Sequence, residues 1–359
     1  VVAEDGGARR GVLKTPHGDV ETPLFMPVAT KGTVKAVPPN LLEDACVTAL
    51  ISNALHLYLR PGVDVVERHG GIHRFMNFHG AIFTDSGGFQ MLREGFLLGV
   101  REEGILFRSP YDGSRHLITP ARSREMQARL GSDVAMALDH CPHYSHDRRL
   151  MEKAVERTLE WAVEFIDAMP RGSQMLFGIV QGGVFEDLRE RCASALAEMD
   201  FDGYGIGGLS IGETREEMLR ALQASLSHLP EEKPRYFMGL GSPPEILEAV
   251  AMGVDIFDSV YPTRNGRHAT ALTSEGRLDL RKGRYAGDMR PIEEGCDCYA
   301  CRNFTRAYIR HLISEDEILA KTLVSVHNIR FLTSLMERTR EAIEEGRFEE
   351  LRKEFAGWK

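Results

Sequence analysis

Three of the chain's six cysteines crowd into Cys296-Asp297-Cys298-Tyr299-Ala300-Cys301, while Cys46, Cys141 and Cys192 are scattered. Thiols packed this densely suit a metal rather than disulfides. His327, on a stretch that reads as helix, is available as a fourth ligand, with His311 as the nearby alternative. Three thiolates and an imidazole make a tetrahedral zinc set with no place left for water, so the ion would brace the fold rather than react. A structural zinc contributes on the order of 10 kcal/mol to a small module. A looser group, His140-Cys141-Pro142-His143 with His146 beyond it, lacks a carboxylate-supported ligand spacing and reads as a solvated or substrate-lining loop.

Two acids carry a different chemistry. Asp85 stands in Thr84-Asp85-Ser86-Gly87-Gly88-Phe89-Gln90, where the paired glycines let backbone approach a ligand closely. Asp258 stands in Asp255-Ile256-Phe257-Asp258-Ser259-Val260-Tyr261-Pro262-Thr263-Arg264-Asn265-Gly266-Arg267. Two carboxylates facing one cavity are what cleavage at an anomeric carbon needs, one to attack and one to handle the leaving group's proton. Each has a plainer reading when taken singly: a turn for Asp-Ser-Gly-Gly, and an N-cap or ion pair for Asp255 or Asp258.

Positioning these residues requires a scaffold, and the hydrophobic pattern supplies one. Apolar runs end near Met26, Ile51, Thr84, Leu138, Val180, Ile206, Met238 and Phe257. Several are followed by amphipathic stretches, Ala121 to Leu130, Asp147 to Ala168, Glu186 to Met199, Glu216 to Leu229 and Pro243 to Met252. Repeated βα units of this kind close into a (β/α)₈ barrel or open into a doubly wound sheet, which periodicity alone does not separate. Asn53, Asp85, Asp139, Gln181, Gly207-Gly208, Gly239 and Asp258 each fall just past a run, and only a barrel gathers such positions at one mouth. After Asp258 a Gly- and Arg-rich stretch leads to the cysteines and then to two helices, roughly Glu315 to Glu345. The expected organisation is one α/β barrel over residues 1–359 with a zinc-bearing subdomain, 284–345, within it.

Composition bounds the partners. With 43% hydrophobic residues, no bilayer-length apolar run and no signal-like start, the protein is expected to be soluble and cytoplasmic, with a few residues trimmed ahead of Val1. The net charge of −9 argues against a polyanion, yet Tyr261 to His311 holds ten cations against six anions and stands out as a basic face.

The motifs TDSGGFQ, DHC, QGG, GGLSIGE, RYFMGLG, DIFDSVYPTRNGR and CxCxxC, in this order, closely resemble those of the tRNA-guanine transglycosylases, and MPVATKGTVKAV and LYLRPG extend the likeness over essentially the whole chain. The resemblance implies a zinc-bearing (β/α)₈ barrel that exchanges guanine at the anticodon wobble position of tRNA for a 7-deazaguanine. Asp258 resembles the nucleophile and Asp85 the general acid/base. Asp139, Gln181 and the backbone of Gly208 match the groups that read the base edge, with Ser86 and Leu209 beside them, and Phe89 and Met238 match the residues that sandwich the ring. Arg264, Arg267, Lys282 and Arg284, with Arg302 and Arg306, are the expected phosphate contacts. Phe89 stands where many relatives have Tyr, Asn53-Ala54-Leu55-His56 replaces Asn-Thr-Tyr-His, and His140 replaces a common acid. Cys141 and Ile211 resemble the bacterial form that takes preQ1. The family implies one structural zinc ion, the anticodon stem-loop as partner and a homodimer. Two relatives with other roles are weighed against this. A non-catalytic partner subunit would lack one acid, and both are present; an archaeal-type enzyme inserting preQ0 in the D-arm carries a further C-terminal domain, not expected in a chain stopping at Lys359. An unrelated barrel glycosidase would have no use for the cysteines and the basic stretch.

Overall fold

The computed structural model describes residues 1–88 and 96–359. In chain order its strands are β1 (Ala3–Asp5), β2 (Ala8–Thr15), β3 (Gly18–Thr22), β4 (Leu24–Ala29), β5 (Ala49–Asn53), β6 (Ala81–Asp85), β7 (Leu97–Val100), β8 (Ile105–Arg108), β9 (Arg115–Ile118), β10 (Val134–Met136), β11 (Met175–Val180), β12 (Gly203–Ile206), β13 (Arg235–Phe237), β14 (Ile256–Ser259), β15 (Thr270–Thr273) and β16 (Gly276–Asp279). Eight of them, β10-β11-β12-β13-β14-β4-β5-β6, form a closed parallel barrel, which removes the open-sheet alternative. Each barrel strand lies within a few residues of an apolar run, because a strand buried on both faces must be apolar throughout.

The barrel is filled rather than hollow. Met26, Ile51, Phe83, Met136, Phe177, Ile179, Tyr236 and Ile256 pack in its interior. Leu13 and Val20, from the antiparallel hairpin β2–β3, join the same cluster and plug the floor. A buried pair fastens that hairpin: Arg9 donates from Nε to Asp255 Oδ1 at 2.8 Å, and Asp255 Oδ2 also accepts the Arg235 N–H at 2.7 Å. Asp255 is thus the ion-pair partner foreseen as a plainer reading, and it works at the end of β14 opposite to Asp258.

Helices cover the outside, and their ends follow local chemistry. Thr119 accepts the Arg122 N–H ahead of Pro120–Leu130, with Pro120 at the first helical position and Gly131 ending it. Thr214 and Glu217 form a capping box at Arg215–Leu226. Where two helices were expected between about Glu315 and Glu345, one continuous helix runs Ile318–Glu344, preceded by a shorter one at Arg306–Ser314. The pattern misled because this helix is buried on most of its faces, so it lacks the polar stripe that would mark it as one amphipathic unit. Gly266 lets the helix Tyr261–Arg267 approach it, since a Cβ there would lie 2.6 Å from Ser325 Oγ. Three sheets had no sequence expectation: β1–β2–β3, the three-stranded sheet β7–β8–β9 inserted after β6, and the two-stranded β15–β16. Among the described residues no helix is long and apolar enough to cross a membrane.

Candidate active site and metal centre

Parallel strands open their C-terminal ends on one rim, and the polar residues that interrupt the apolar runs meet there. Asp85 ends β6 and pairs in register with Asn53, which ends β5. Asn53 does two things at once: its Oδ1 accepts the His56 N–H at 2.9 Å, capping the helix Ala54–Leu59, and its Nδ2 donates to Asp85 Oδ1 at 2.9 Å. The Gly87 N–H donates to the same carboxylate oxygen at 2.5 Å. Asn53 and Gly87 thus both hold Asp85, one fixed by cap geometry and the other by backbone.

Asp258, on β14, is held in a parallel way. The Tyr236 hydroxyl donates to its Oδ1 at 2.5 Å and the Gly239 N–H donates to the same atom at 2.9 Å. Burial pushes the Asp258 carboxyl above the usual carboxylate range, and these two donors pull it back. Tyr236, on β13, points into the barrel, with its ring 6.1 Å from that of Phe83. Its phenol is pushed far above its usual range, first by burial, then by the charge of Asp258 with its hydrogen bond, and lastly by the charge of Asp85. One ring feels both carboxylates, so β6 and β14 bring the two acids to the same end of the barrel.

The next strands round the rim supply a polar recess. Gln181 donates from Nε2 to Asp139 Oδ2 at 2.6 Å, and both side chains are buried. Burial raises the Asp139 carboxyl to about 6, with the Gln181 bond opposing the shift. Gly208 adopts a φ of +68°, and a Cβ there would stand 2.5 Å from Gln181 Oε1. Only glycine leaves that backbone open to a flat ligand. On the other flank, Gly88 lies against Asp139, its Cβ position 3.1 Å from the Asp139 carbonyl oxygen. Ser86 and Leu209 are buried beside these groups, and Met238 is half-buried with its sulfur 3.2 Å from the Cβ position of Gly205. Phe89 lies outside the described residues.

Tyr236 was not singled out in the sequence, although a tyrosine facing a barrel interior demands an acceptor for its hydroxyl. Arg189 was also missed, since it reads as an ordinary helix charge in Glu186–Ala197. It is fully buried and donates to three carbonyl oxygens: Gly183 at 2.7 Å, Val180 at 3.1 Å and Gly207 at 2.8 Å. This guanidinium ties together the two loops that carry Gln181 and Gly208. The His140 cluster holds no ligand set among the described residues. His140 is buried and depressed to about 4, by desolvation and by Arg157, so its ring is neutral.

Cys296, Cys298, Cys301 and His327 converge, with His327 Nδ1 at 3.6, 3.7 and 3.3 Å from the three sulfurs. Tetrahedral zinc with ordinary Zn–S and Zn–N bonds needs sulfur–nitrogen edges of about 3.6 Å, so the donor set fits the ion. His327 Nε2 lies 2.7 Å from the Leu272 carbonyl oxygen, which fixes the ring and leaves Nδ1 for the metal. His311 is exposed and belongs to no such group. Two surface cavities of about 310 and 480 Å³ adjoin this region and share Ser274, Glu293 and Glu294, apart from the barrel mouth.

The basic stretch is less free than its composition suggests. Arg302 pairs with Asp44, and Arg306 pairs with Asp288 while also donating to the Ile292 carbonyl. Arg281 and Arg290 pair with Asp279 and Asp288. Arg264 and Arg267 sit in the helix directly after β14, with Arg264 exposed and Arg267 donating from Nε to the Thr263 carbonyl. Lys282 and Arg284 are exposed farther along, Arg284 bonded to the Tyr285 hydroxyl.

Comparison with known proteins places the whole chain beside one family. The family profile described as queuine tRNA-ribosyltransferase matches residues 5–358. Curated proteins of that name from Pelotomaculum thermopropionicum, Thermoanaerobacter sp. (strain X514) and Desulforamulus reducens are similar at 52%, 51% and 51% identity, covering 98%, 97% and 97% of this chain and 95%, 93% and 94% of their own lengths.

Proposed function

The chain belongs to the queuine tRNA-ribosyltransferase family, a family of pentosyltransferases, and from that membership we propose that it exchanges guanine at the wobble position of tRNA for preQ1 through a covalent ribosyl-aspartate intermediate. The observation that carries the chemistry is the pair of braced acids: Asp258 held by Tyr236 and Gly239, and Asp85 held by Asn53 and Gly87, at one end of one barrel.

The proposed steps assign each acid one role. An Asp258 carboxylate oxygen attacks ribose C1′, the glycosidic C–N bond breaks, and the departing guanine takes a proton delivered by Asp85. The incoming deazapurine returns a proton to Asp85 as its ring nitrogen attacks C1′ and displaces Asp258 as carboxylate. Two displacements give retention at C1′. Asp139, Gln181 and the Gly208 backbone read the purine edge, and a wrong base that left these buried groups unpaired would cost about 1–3 kcal/mol for each. Zinc, when bound at the four-ligand site, supplies bracing rather than chemistry.

The choice of preQ1 is supported by Cys141, whose sulfur lies 3.5 Å from the Cβ position of Gly208, and by the bulky Ile211 on the same rim loop. Together they favour a small substituent. A cytoplasmic homodimer whose zinc-bearing part spans 284–345 completes the reading. The test is exchange of radiolabelled guanine into a tRNA with a U-G-U wobble context, followed by competition among preQ1, preQ0 and queuine. Asp258→Ala is expected to abolish trapping of a covalent RNA adduct. Normal adduct formation by that variant would remove Asp258 from its role, and equal use of the three bases would remove the preQ1 preference.

A further inference from the structure

The sheet inserted after β6 contains an arrangement that the folded protein alone does not explain. Arg108 on β8 and Arg115 on β9 face each other directly across the antiparallel ladder, and both are exposed. Like charges so placed repel and weaken the strand pair. Among the described residues no carboxylate stands within ion-pair distance of either. The hairpin's own acid, Asp112, is engaged elsewhere, accepting from the Ser114 N–H at 3.1 Å and the Ser114 hydroxyl at 2.7 Å.

The tip of this hairpin leans on the barrel rim. Tyr111 presents its ring to Arg60, with the guanidinium carbon 4.5 Å from the centroid, and to Lys31, whose Nζ is 5.5 Å away. Lys31 follows β4 at the mouth, and Arg60 follows the helix that starts from the rim end of β5. Neither has an acid partner among the described residues. Among the described residues, four cations without an acid partner therefore collect on this hairpin and the rim it touches after β4 and β5. That sector ends in Asp85 on one side and adjoins β14, with Asp258, on the other. In the stretch that looked basic in the sequence, by contrast, Arg281, Arg290, Arg302 and Arg306 each have an acid partner, Arg290 and Arg306 sharing Asp288.

We propose that the β8–β9 hairpin and the adjoining rim form an RNA-docking surface, in which Arg108, Arg115, Lys31 and Arg60 take backbone phosphates of the tRNA flanking the exchanged nucleotide, and Tyr111 keeps Lys31 and Arg60 side by side. This rests on the transglycosylase reading. A polyanion turns the repulsive pair into an attractive site, since two adjacent guanidinium groups match phosphates along a strand. The contacts position the substrate and carry no base preference.

The test measures binding of full-length tRNA between about 50 and 200 mM salt for the wild type, R108Q/R115Q and K31Q/R60Q. Each double variant is expected to lose about tenfold or more in affinity, and the slope of log K against log salt to flatten by about two. Guanine-exchange turnover at saturating tRNA should stay at the wild-type level, and the melting temperature of R108Q/R115Q should hold or rise. Unchanged affinity and slope in both variants would overturn the proposal, as would loss of affinity accompanied by a lower melting temperature. A wild type that binds tRNA but exchanges no guanine would sink the catalytic reading separately, leaving the binding comparison to decide this one.

Discussion

Replacing Tyr236 with Phe removes one oxygen and tests the most specific electrostatic feature of the site. The hydroxyl is one of two donors to Asp258 Oδ1, at 2.5 Å, the other being the Gly239 N–H at 2.9 Å. A hydrogen bond to a buried carboxylate contributes about 1.5–3 kcal/mol, equivalent to about one to two pKa units. The sign follows from what the bond does: it lowers a carboxyl that burial has raised, so its loss lets burial win further. Y236F should therefore move the acid limb of the rate–pH profile upward by about one to two units. Exchange at pH values below the shifted limb should fall by roughly ten- to hundredfold and recover as pH rises, because ionisation of the nucleophile is what was lost. KM for the free base should stay constant, since Tyr236 lies against Phe83 and Asp258 rather than in the Asp139–Gln181 recess. A limb that does not move, or a loss that alkaline pH does not relieve, would refute the idea that this phenol tunes Asp258.

Other outcomes are equally open to measurement. Gly208→Ala places a Cβ 2.5 Å from Gln181 Oε1 in a left-handed backbone conformation, so steady-state kinetics should show KM for the base rising about tenfold or more while KM for tRNA holds. Asp139 sits at about 6 in the base-free protein; guanine affinity by calorimetry should weaken as pH falls through that value and the acceptor is protonated, and Asp139→Asn should flatten the dependence. Elemental analysis should find about one zinc per chain, and Cys298→Ser should lose it with a fall in melting temperature of about 5–15 °C. A metal-free preparation that is fully folded and active would contradict that assignment.

Much of the scaffold was legible because a two-sided buried strand leaves an unmistakable apolar run, and the residue that breaks the run is the one delivered to the mouth. Asp85, Asp139, Gln181 and Asp258 all follow this logic. The cysteines of the four-ligand cluster were legible because their spacing is local, whereas the decision for His327 over His311 depends on how a distant helix docks. What escaped the sequence depends on long-range pairing. The floor hairpin alternates too weakly to declare that Leu13 and Val20 are its buried residues. Arg189 becomes a loop brace only when three carbonyls from two strand ends close on it. Charge counted along the chain also misses pairs made at a distance: Asp44 is far from Arg302 in sequence yet pairs with it in space.

The helix Ile318–Glu344 behaves as a tie rod. About a third of the way along, His327 orients toward the cysteines, and the next residue, Asn328, donates to the carbonyl oxygens of Pro262 and Thr270 and accepts the Leu272 N–H. Farther along, Thr333 donates to the Ala45 carbonyl and Arg340 to that of Pro23, both on the approach to strands at the floor. The rod therefore spans from the segment just after β14 to the opposite end of the barrel, roughly 20 Å between Asn328 and Arg340 at the usual helical rise. Loss of an ion from the four-ligand cluster, on the proposed reading, would therefore loosen a rod that also grips Pro262, three residues beyond β14, and should disturb the placing of Asp258.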